Sequence, residues 1–213
     1  MYVVKKVKTL EVKRCFVVSQ LVRKQKIHKS SFKSLSLRAR KRFLKSVSLI
    51  EFKQKLQLAK KKVFNMREKE LDRLIRKEYR KRFLAFNNSN WHIGEVTPAE
   101  VGVWRRAGNL PLDWTNGSLK ETAKQVENAI NTNSKRLIGR AKHAVLNILR
   151  INVSFIQNER YLLPIIFQGG TGTKGRKRLK NKTKYDIDDG CMRSIALTIH
   201  GAKKIKAYIG FPK

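Results

Sequence analysis

Acidic residues are scarce in this chain of 213 residues, which has 15 Asp and Glu against 50 Lys and Arg. The formal net charge is +35, and an excess of that size repels itself in a compact fold unless an anionic partner neutralises it. Nucleic acid is the usual partner, because each phosphate that a Lys or Arg contacts releases a counterion. We therefore expect the chain to bind nucleic acid, either DNA or RNA.

Cysteine and long apolar runs are also scarce. Cys15 and Cys191 are the two cysteines, and neither they nor the four scattered histidines form a metal-ligand pattern. This excludes a disulfide framework and favours a reducing compartment, either cytoplasmic or nucleoid-associated. No run of about 18 apolar residues is available to span a bilayer, and charges interrupt the apolar runs that a secretory signal would need.

The positive charge is concentrated towards the N-terminus. Residues 1–86 hold 28 Lys and Arg against 6 acids, whereas residues 87–213 hold 22 against 9. This asymmetry predicts a basic extension attached to a more ordinary domain. An organellar transit peptide is an alternative for the first fifty residues, which are rich in Ser, Lys and Arg and contain one acid.

Four segments follow from the pattern along the chain. They are a basic N-terminal arm (1–47), a long basic amphipathic helix (48–90), a Trp-rich junction (91–114) and a small α/β domain (115–213). Alternating β-branched residues predict a strand or hairpin over 2–22. Apolar residues at helical spacing, without Pro or Gly, predict one helix over 48–86.

All three tryptophans lie in the junction, at Trp91, Trp104 and Trp114. They are interpreted as an apolar contact between the long helix and the C-terminal domain, in preference to a surface for stacking bases. Two helices are predicted after the junction. The first spans 118–133 and opens with Ser118 and Glu121 as a capping box, and the second spans 134–150.

The strongest pattern lies in the last thirty residues. Tyr185 to Asp189 predicts a strand, Gly190 a tight turn, the residues from Cys191 a helix, Gly201 its end, and Ile205 to Ile209 a closing strand. A Gly turn that opens a helix presents free backbone N–H groups to an anion. Arg193 lies in the first helical turn, where a guanidinium adds forked hydrogen bonds.

This stretch resembles the ParB/sulfiredoxin superfamily, whose signature is a strand, a turn of Asp-Gly-x-x-Arg type, a helix of small residues, a Gly and an apolar strand. Here Asp189 to Arg193 supply the turn. The resemblance covers roughly residues 115–211, and it implies a phosphate-binding turn formed by Gly190, Cys191 and Arg193. If the turn is catalytic, Asp189 and Arg193 are the candidate catalytic residues.

Two residues in the turn depart from the family. ParB proteins carry an acidic residue and a second Arg where this chain has Cys191 and Met192, which puts nucleotide hydrolysis in doubt. Cys191 falls on the reactive Cys position of sulfiredoxins, but Met192 replaces their His. Enzymatic activity, as a nuclease or a nucleotide triphosphatase, therefore stays open.

A basic Gly-rich loop precedes the turn, with seven basic residues and no acid between Lys174 and Lys184. It lacks the Gly-Lys-Ser/Thr that a P-loop requires, and it is interpreted as a flexible hairpin that wraps a phosphate backbone. The candidate nucleic-acid-binding residues come from this loop and from the long helix. They are Lys60, Lys61, Lys62, Lys174, Arg176, Lys177, Arg178, Lys180, Lys182 and Lys184.

The acids Asp186, Asp188 and Asp189 follow the loop. Carboxylates at a strand end can hold Mg²⁺, so Mg²⁺ with a nucleotide is compatible with the sequence, although a structural use of these acids is favoured. The sequence predicts an α+β fold, with a ParB/sulfiredoxin-like domain after a largely helical basic extension. The expected function is ParB-like binding of nucleic acid through its phosphate backbone, and the resemblance favours DNA over RNA as the partner. The alternatives are a structural component of a ribonucleoprotein such as a ribosome, and a phosphotransfer or redox enzyme of the superfamily. An oligomer or a larger assembly is compatible with each of these functions.

Overall fold

The computed structural model describes residues 2–24, 37–78, 80–115, 117–169 and 183–213. Over these residues the chain has an α+β fold, with a mixed six-stranded sheet and eight α-helices. The strands are β1 (Tyr2–Val7), β2 (Ser89–Val96), β3 (Val101–Gly102), β4 (Ile165–Gln168), β5 (Tyr185–Asp189) and β6 (Ile205–Pro212). The helices are α1 (Thr9–Lys24), α2 (Leu37–Phe64), α3 (Glu68–Glu78), α4 (Arg80–Asn87), α5 (Leu119–Asn131), α6 (Gly139–Leu149), α7 (Val153–Asn158) and α8 (Cys191–Ile199).

The sheet combines the two ends of the chain. Its strand order is β1-β2-β6-β4-β5-β3, in which β2 is antiparallel to both β1 and β6. Strand β4 is parallel to β6 and antiparallel to β5, and β3 is parallel to β5. Three strands therefore come from before residue 115, so the predicted domain 115–213 shares its sheet with the segments that were expected to be an arm and a junction.

The N-terminal segment is integrated into the core. The predicted strand is confirmed for β1, but the residues that follow form α1 and not the second half of a hairpin. Val12, Cys15 and Phe16 repeat at helical spacing and are buried, as are Val17 and Val18. Burial of this helical face overrides the β-propensity of the valines, which is why the sequence pattern was misleading.

The single long helix predicted over 48–86 is wrong, because the chain bends between Phe64 and Glu68 and forms α2, α3 and α4. Helix α3 is capped at its start by a residue of its own first turn. The backbone N–H of Arg67 donates to Glu70 Oε2 at 2.8 Å, which satisfies a donor that would otherwise be orphaned at the helix start.

The Trp-rich junction is mainly core. Trp91 and Trp114 are buried, and Trp104 is half-buried. The Trp91 ring lies 5.4 Å from that of Phe86 and 5.1 Å from that of Phe167, and its Nε1 donates to Phe86 O at 2.9 Å. These contacts agree with the junction interpretation and leave Trp91 no free face on which to stack a base.

The later elements follow the predicted order. Helix α5 begins with the predicted capping box, because Glu121 N donates to Ser118 Oγ while Ser118 N donates to Glu121 Oε2. Helix α6 begins at Gly139, five residues later than predicted. The strand, Gly turn, helix and strand at the C-terminal end are confirmed as β5, Gly190, α8 and β6.

Candidate functional site

The Asp189–Gly190 turn joins β5 to α8 in a conformation that requires glycine. Gly190 is the N-cap of α8 and has φ of +85°. A Cβ at this position would lie 3.0 Å from the Cα of Pro164, which is backbone and cannot easily move. The turn is therefore packed tightly against the segment that leads into β4.

Helix α1 closes the turn from the other side. Arg193 Nη2 lies 2.9 Å from Asp189 Oδ2, and Arg193 Nη1 donates to Ser19 Oγ at 2.8 Å. Ser19 Oγ in turn donates to Asp189 Oδ2 at 2.8 Å. The guanidinium that was predicted to hold a phosphate is thus paired with a carboxylate of the protein itself, and its side chain is 15% exposed.

The electrostatics of the turn agree with a structural ion pair. Burial by itself raises the pKa of Asp189, but the positive charge of Arg193 and the hydrogen bond from Ser19 outweigh it and hold the pKa below its ordinary value. Burial raises the pKa of the Cys191 thiol to about 12. Since the thiolate is the nucleophile, a thiol with this pKa is protonated at neutral pH and poorly reactive.

A second buried pair lies beside the first. Arg82 Nε donates to Asp188 Oδ2 at 2.6 Å, and the Arg82 guanidinium stacks on Phe16 of α1 at 4.6 Å from the ring centre. Asp186 is buried as well. Within the described residues no group of three or more His, Cys, Asp or Glu is arranged to hold a metal ion, so the Mg²⁺ interpretation of these acids gains no support.

Other acids are also turned towards the inside of the molecule. The side chain of Lys13 is 2% exposed, and its Nζ lies 2.9 Å from Glu68 Oε1 and 2.7 Å from Asp72 Oδ1. Glu11 accepts hydrogen bonds from Arg160 and from the hydroxyl of Tyr208, both at 2.7 Å. Four acids, Glu11, Glu68, Asp72 and Asp189, thus make contacts that fix α1.

Lys60, a predicted nucleic-acid-binding residue, belongs to this internal set. Its Nζ lies 2.6 Å from Glu159 Oε2 and stacks over the Tyr161 ring, and the side chain is 18% exposed. The charge of Lys60 is therefore matched within the protein, and its role in nucleic-acid binding stays a prediction. Lys61 and Lys62, the next two residues, are exposed at the end of α2.

The largest concentration of exposed cations on one short described helix lies on α3. Lys69, Arg73, Arg76 and Lys77 are exposed on the side opposite the buried Leu71 and Ile75, and we call these four residues the α3 cationic face. The separation follows from the helical period, since residues three and four apart share one face. Because Glu68 and Asp72 turn towards Lys13, they do not neutralise this face.

The α3 cationic face is partly preorganised. The Arg76 guanidinium stacks on the ring of Phe83 in α4, at 4.3 Å from the ring centre. Arg80 and Lys81, in the first turn of α4, are exposed beyond it. An Arg held on an aromatic ring keeps its charge in a fixed position while its N–H groups stay available to an anion.

One of the predicted nucleic-acid-binding residues of the basic loop lies in the described part of the chain. Lys184 is exposed, with its Nζ 3.7 Å from Glu100 Oε1. Lys174, Arg176, Lys177, Arg178, Lys180 and Lys182 lie outside the described residues.

Sequence reasoning missed the partners that close the turn and the face that α3 exposes. Ser19 and Arg82 gave no signal of their own, because each meets its acid across more than 100 residues of chain. The α3 cationic face did have a signal, namely basic residues at positions 69, 73, 76 and 77. It was overlooked because one unbroken helix was assumed from 48 to 86.

The comparisons with known proteins found no matching family model, no matching curated protein and no matching solved structure. The ParB/sulfiredoxin resemblance therefore stays a prediction that rests on the residues of the turn and the elements around it. In the described part of the chain no helix is long and apolar enough to cross a membrane.

Proposed function

We propose that this protein binds nucleic acid through the phosphate backbone, and that the α3 cationic face is the principal contact. The observation that carries the proposal is the separation of charge on α3, where four basic side chains face outward while Glu68 and Asp72 pair inward with Lys13. Such a surface attracts a polyanion because its four cations outnumber Glu70 and Glu78, the exposed acids of α3 that do not pair with Lys13.

The dimensions of the face suit a phosphate backbone. Lys69 and Lys77 are eight residues apart, which is about 12 Å along a helix that rises 1.5 Å per residue. A single strand of duplex DNA presents one phosphate per 3.4 Å of axis, so this length corresponds to roughly three or four phosphates. Lys and Arg contacts to phosphate fix position and carry no sequence information, so we expect modest sequence preference.

The Asp189–Gly190 turn has no part in the proposed binding, because Arg193 is neutralised by Asp189 and covered by Ser19. We infer that the C-terminal part is related to the ParB/sulfiredoxin superfamily and retains the turn as a tie between β5, α8 and α1. The pairing of Asp189 with Arg193 supports a structural use, and the raised pKa of Cys191 argues against thiol chemistry at the turn.

The test compares two variants that lose the same total charge. The first replaces the α3 cationic face with glutamine (K69Q, R73Q, R76Q and K77Q). The second replaces four exposed basic residues of the α5–α6 region (K120Q, K124Q, K135Q and R140Q). Binding of labelled duplex DNA, single-stranded DNA and RNA is measured by fluorescence anisotropy across a salt series, with circular dichroism to confirm folding.

We expect the α3 variant to lose affinity and to reduce the slope of log K against log salt by about 3 to 4 on duplex DNA, since each phosphate contact contributes about 0.9. The α5–α6 variant should keep a slope closer to that of the unmodified protein. Equal losses in both variants would mean that net charge alone attracts nucleic acid, and the proposed interface would be wrong.

The affinities measured for DNA and for RNA distinguish two roles of the protein. Preference for duplex DNA would favour a DNA-binding protein of ParB-like type. Preference for structured RNA would favour the alternative of a ribonucleoprotein component, which needs the same phosphate contacts but a different partner.

A further inference from the structure

A cleft of about 480 Å³ lies where β1 passes into α1. Lys6, Lys8 and Lys213 line it, together with Thr9, Asn90 and Trp91, and we call this site the lysine cleft. Among the described residues that form its walls no side chain carries a carboxylate. Three cations and a neutral amide around an open cavity are the chemistry of an anion site.

The sheet brings these lysines together from segments far apart in the chain. Strand β1 pairs with β2 at Val7 and Trp91, and β2 pairs with β6 at Ser89 and Pro212, which places Lys213 beside the same corner. The backbone N–H of Lys213 donates to Asn88 O at 3.2 Å. The arrangement is therefore part of the sheet and does not depend on a loop.

The base of the cleft is rigid. Trp91 is 1% exposed, and its ring is held between those of Phe86 and Phe167. A buried ring of this kind offers a wall and no stacking face, so the cleft suits a phosphate group better than a nucleobase.

The charges of the cleft are not matched within the described part of the protein. Lys6, Lys8 and Lys213 are exposed, and no described carboxylate lies within 4.0 Å of their ammonium groups. Lys13, one turn further along α1, is by contrast held by both Glu68 and Asp72. The positive end of the 16-residue helix α1 starts at Thr9 and adds to the field in the cleft.

We propose that the lysine cleft binds a phosphodiester group of the same nucleic acid that the α3 cationic face contacts, an inference that rests on the proposed function. Helix α1 connects the two regions, since Thr9 lines the cleft and Lys13 lies four residues further on, about 6 Å along the helix axis. Lys13 touches α3 directly through Glu68 and Asp72.

The experiment uses the full chain and a matched control. The cleft variant carries K6Q, K8Q and K213Q, and the control carries K120Q, K124Q and K203Q, all of them substitutions of exposed lysines. The slope of log K against log salt is measured for each on the nucleic acid that the unmodified protein prefers. It is also measured for a variant that combines the cleft and α3 substitutions.

We expect the cleft variant to reduce the slope by about 2 to 3, and the combined variant to show the sum of the cleft and α3 reductions. A slope equal to that of the control, while the α3 variant still loses affinity, would overturn the cleft and leave the proposed function in place. If neither the cleft variant nor the α3 variant differs from its control, both proposals fail.

Chemical footprinting gives a readout that does not depend on affinity. Lys6, Lys8 and Lys213 are acetylated with an amine-reactive ester in the presence and absence of the bound nucleic acid, and modification is read by mass spectrometry. We expect protection of these three lysines and none at Lys120 or Lys203. Equal modification with and without nucleic acid would contradict the proposal.

Discussion

The interior beneath α1 and the outer side of α3 place their charged side chains differently. Acids and arginines are paired and buried in the first region, whereas basic side chains are exposed in the second. Beneath α1, Asp188 and Asp189 are each matched by one arginine and are buried. On α3, by contrast, the basic side chains of Lys69, Arg73, Arg76 and Lys77 are exposed. The comparison shows that the chain matches Asp188 and Asp189 with arginines in its interior, while the basic side chains of α3 stay at its surface.

Several of the internal polar contacts fix helix α1. Glu11 and Lys13 of α1 pair with residues of β6 and α3, and Ser19 of α1 binds Asp189. A buried ion pair need not add net stability, but removing one partner leaves an uncompensated charge. The interior set therefore fixes where α1 lies, whereas the exposed set has no structural task of this kind.

Asp189→Asn is expected to have the largest effect on stability, because Asp189 belongs to a buried ion pair. We expect this substitution to lower the free energy of unfolding by about 3–5 kcal/mol, because it leaves the Arg193 guanidinium buried without its anion. The measurement is urea denaturation followed by circular dichroism. Asp113→Asn is the control, since Asp113 and Arg136 form a pair of the same chemistry on the surface, and we expect no measurable change there. Similar losses in the two variants would mean that burial does not distinguish the pairs.

Gly190→Ala tests how tightly the turn is packed. Gly190 and Gly201 have nearly the same φ, +85° and +83°, but a Cβ meets Pro164 Cα at 3.0 Å in the first case and nothing within 4 Å in the second. Gly201→Ala should lower the free energy of unfolding by about 1–2 kcal/mol, which is the cost of holding an alanine in the left-handed conformation. Gly190→Ala should cost roughly 1–3 kcal/mol more, because the backbone of Pro164 must shift. Equal costs, measured by the same urea denaturation, would show that the contact is unimportant.

Lowering the pH tests the same buried pair of Asp189 and Arg193, and we expect a smaller effect on the free energy of unfolding. The pKa of Asp189 is lower in the folded protein than its ordinary value, so its contribution to stability is present above the unfolded pKa of about 3.9 and is lost as the pH falls through the folded pKa. The difference in unfolding free energy between the unmodified protein and Asp189→Asn should therefore be constant near neutral pH and shrink below about pH 4. A difference that stays constant down to the folded pKa and below would mean that Asp189 is not ionised in the native state.

Local signals predicted the elements whose ends are fixed by nearby residues. The capping box of Ser118 and Glu121 and the glycines at 190 and 201 mark the ends of α5 and α8 in both sequence and structure. Each depends on contacts within a few residues, so periodicity and turn chemistry were sufficient.

Long-range pairing accounts for what the sequence did not predict. Helix α1 has the valine content of a strand, and what makes it a helix is burial against elements near residues 160, 189 and 208. The role of Arg193 depended likewise on Ser19, which lies 174 residues away. A phosphate-binding turn and an internal ion pair therefore look the same in the sequence of the turn alone.

The ties between α1 and the C-terminal strands have a consequence for how the chain is made. During synthesis β1 and α1 emerge well before their partners Asp189, Arg193 and Tyr208, which follow them by 170 residues or more. Since such distant contacts must wait for loop closure, we expect slow folding, with the apolar side of α1 uncovered on the nascent chain until the last strands arrive.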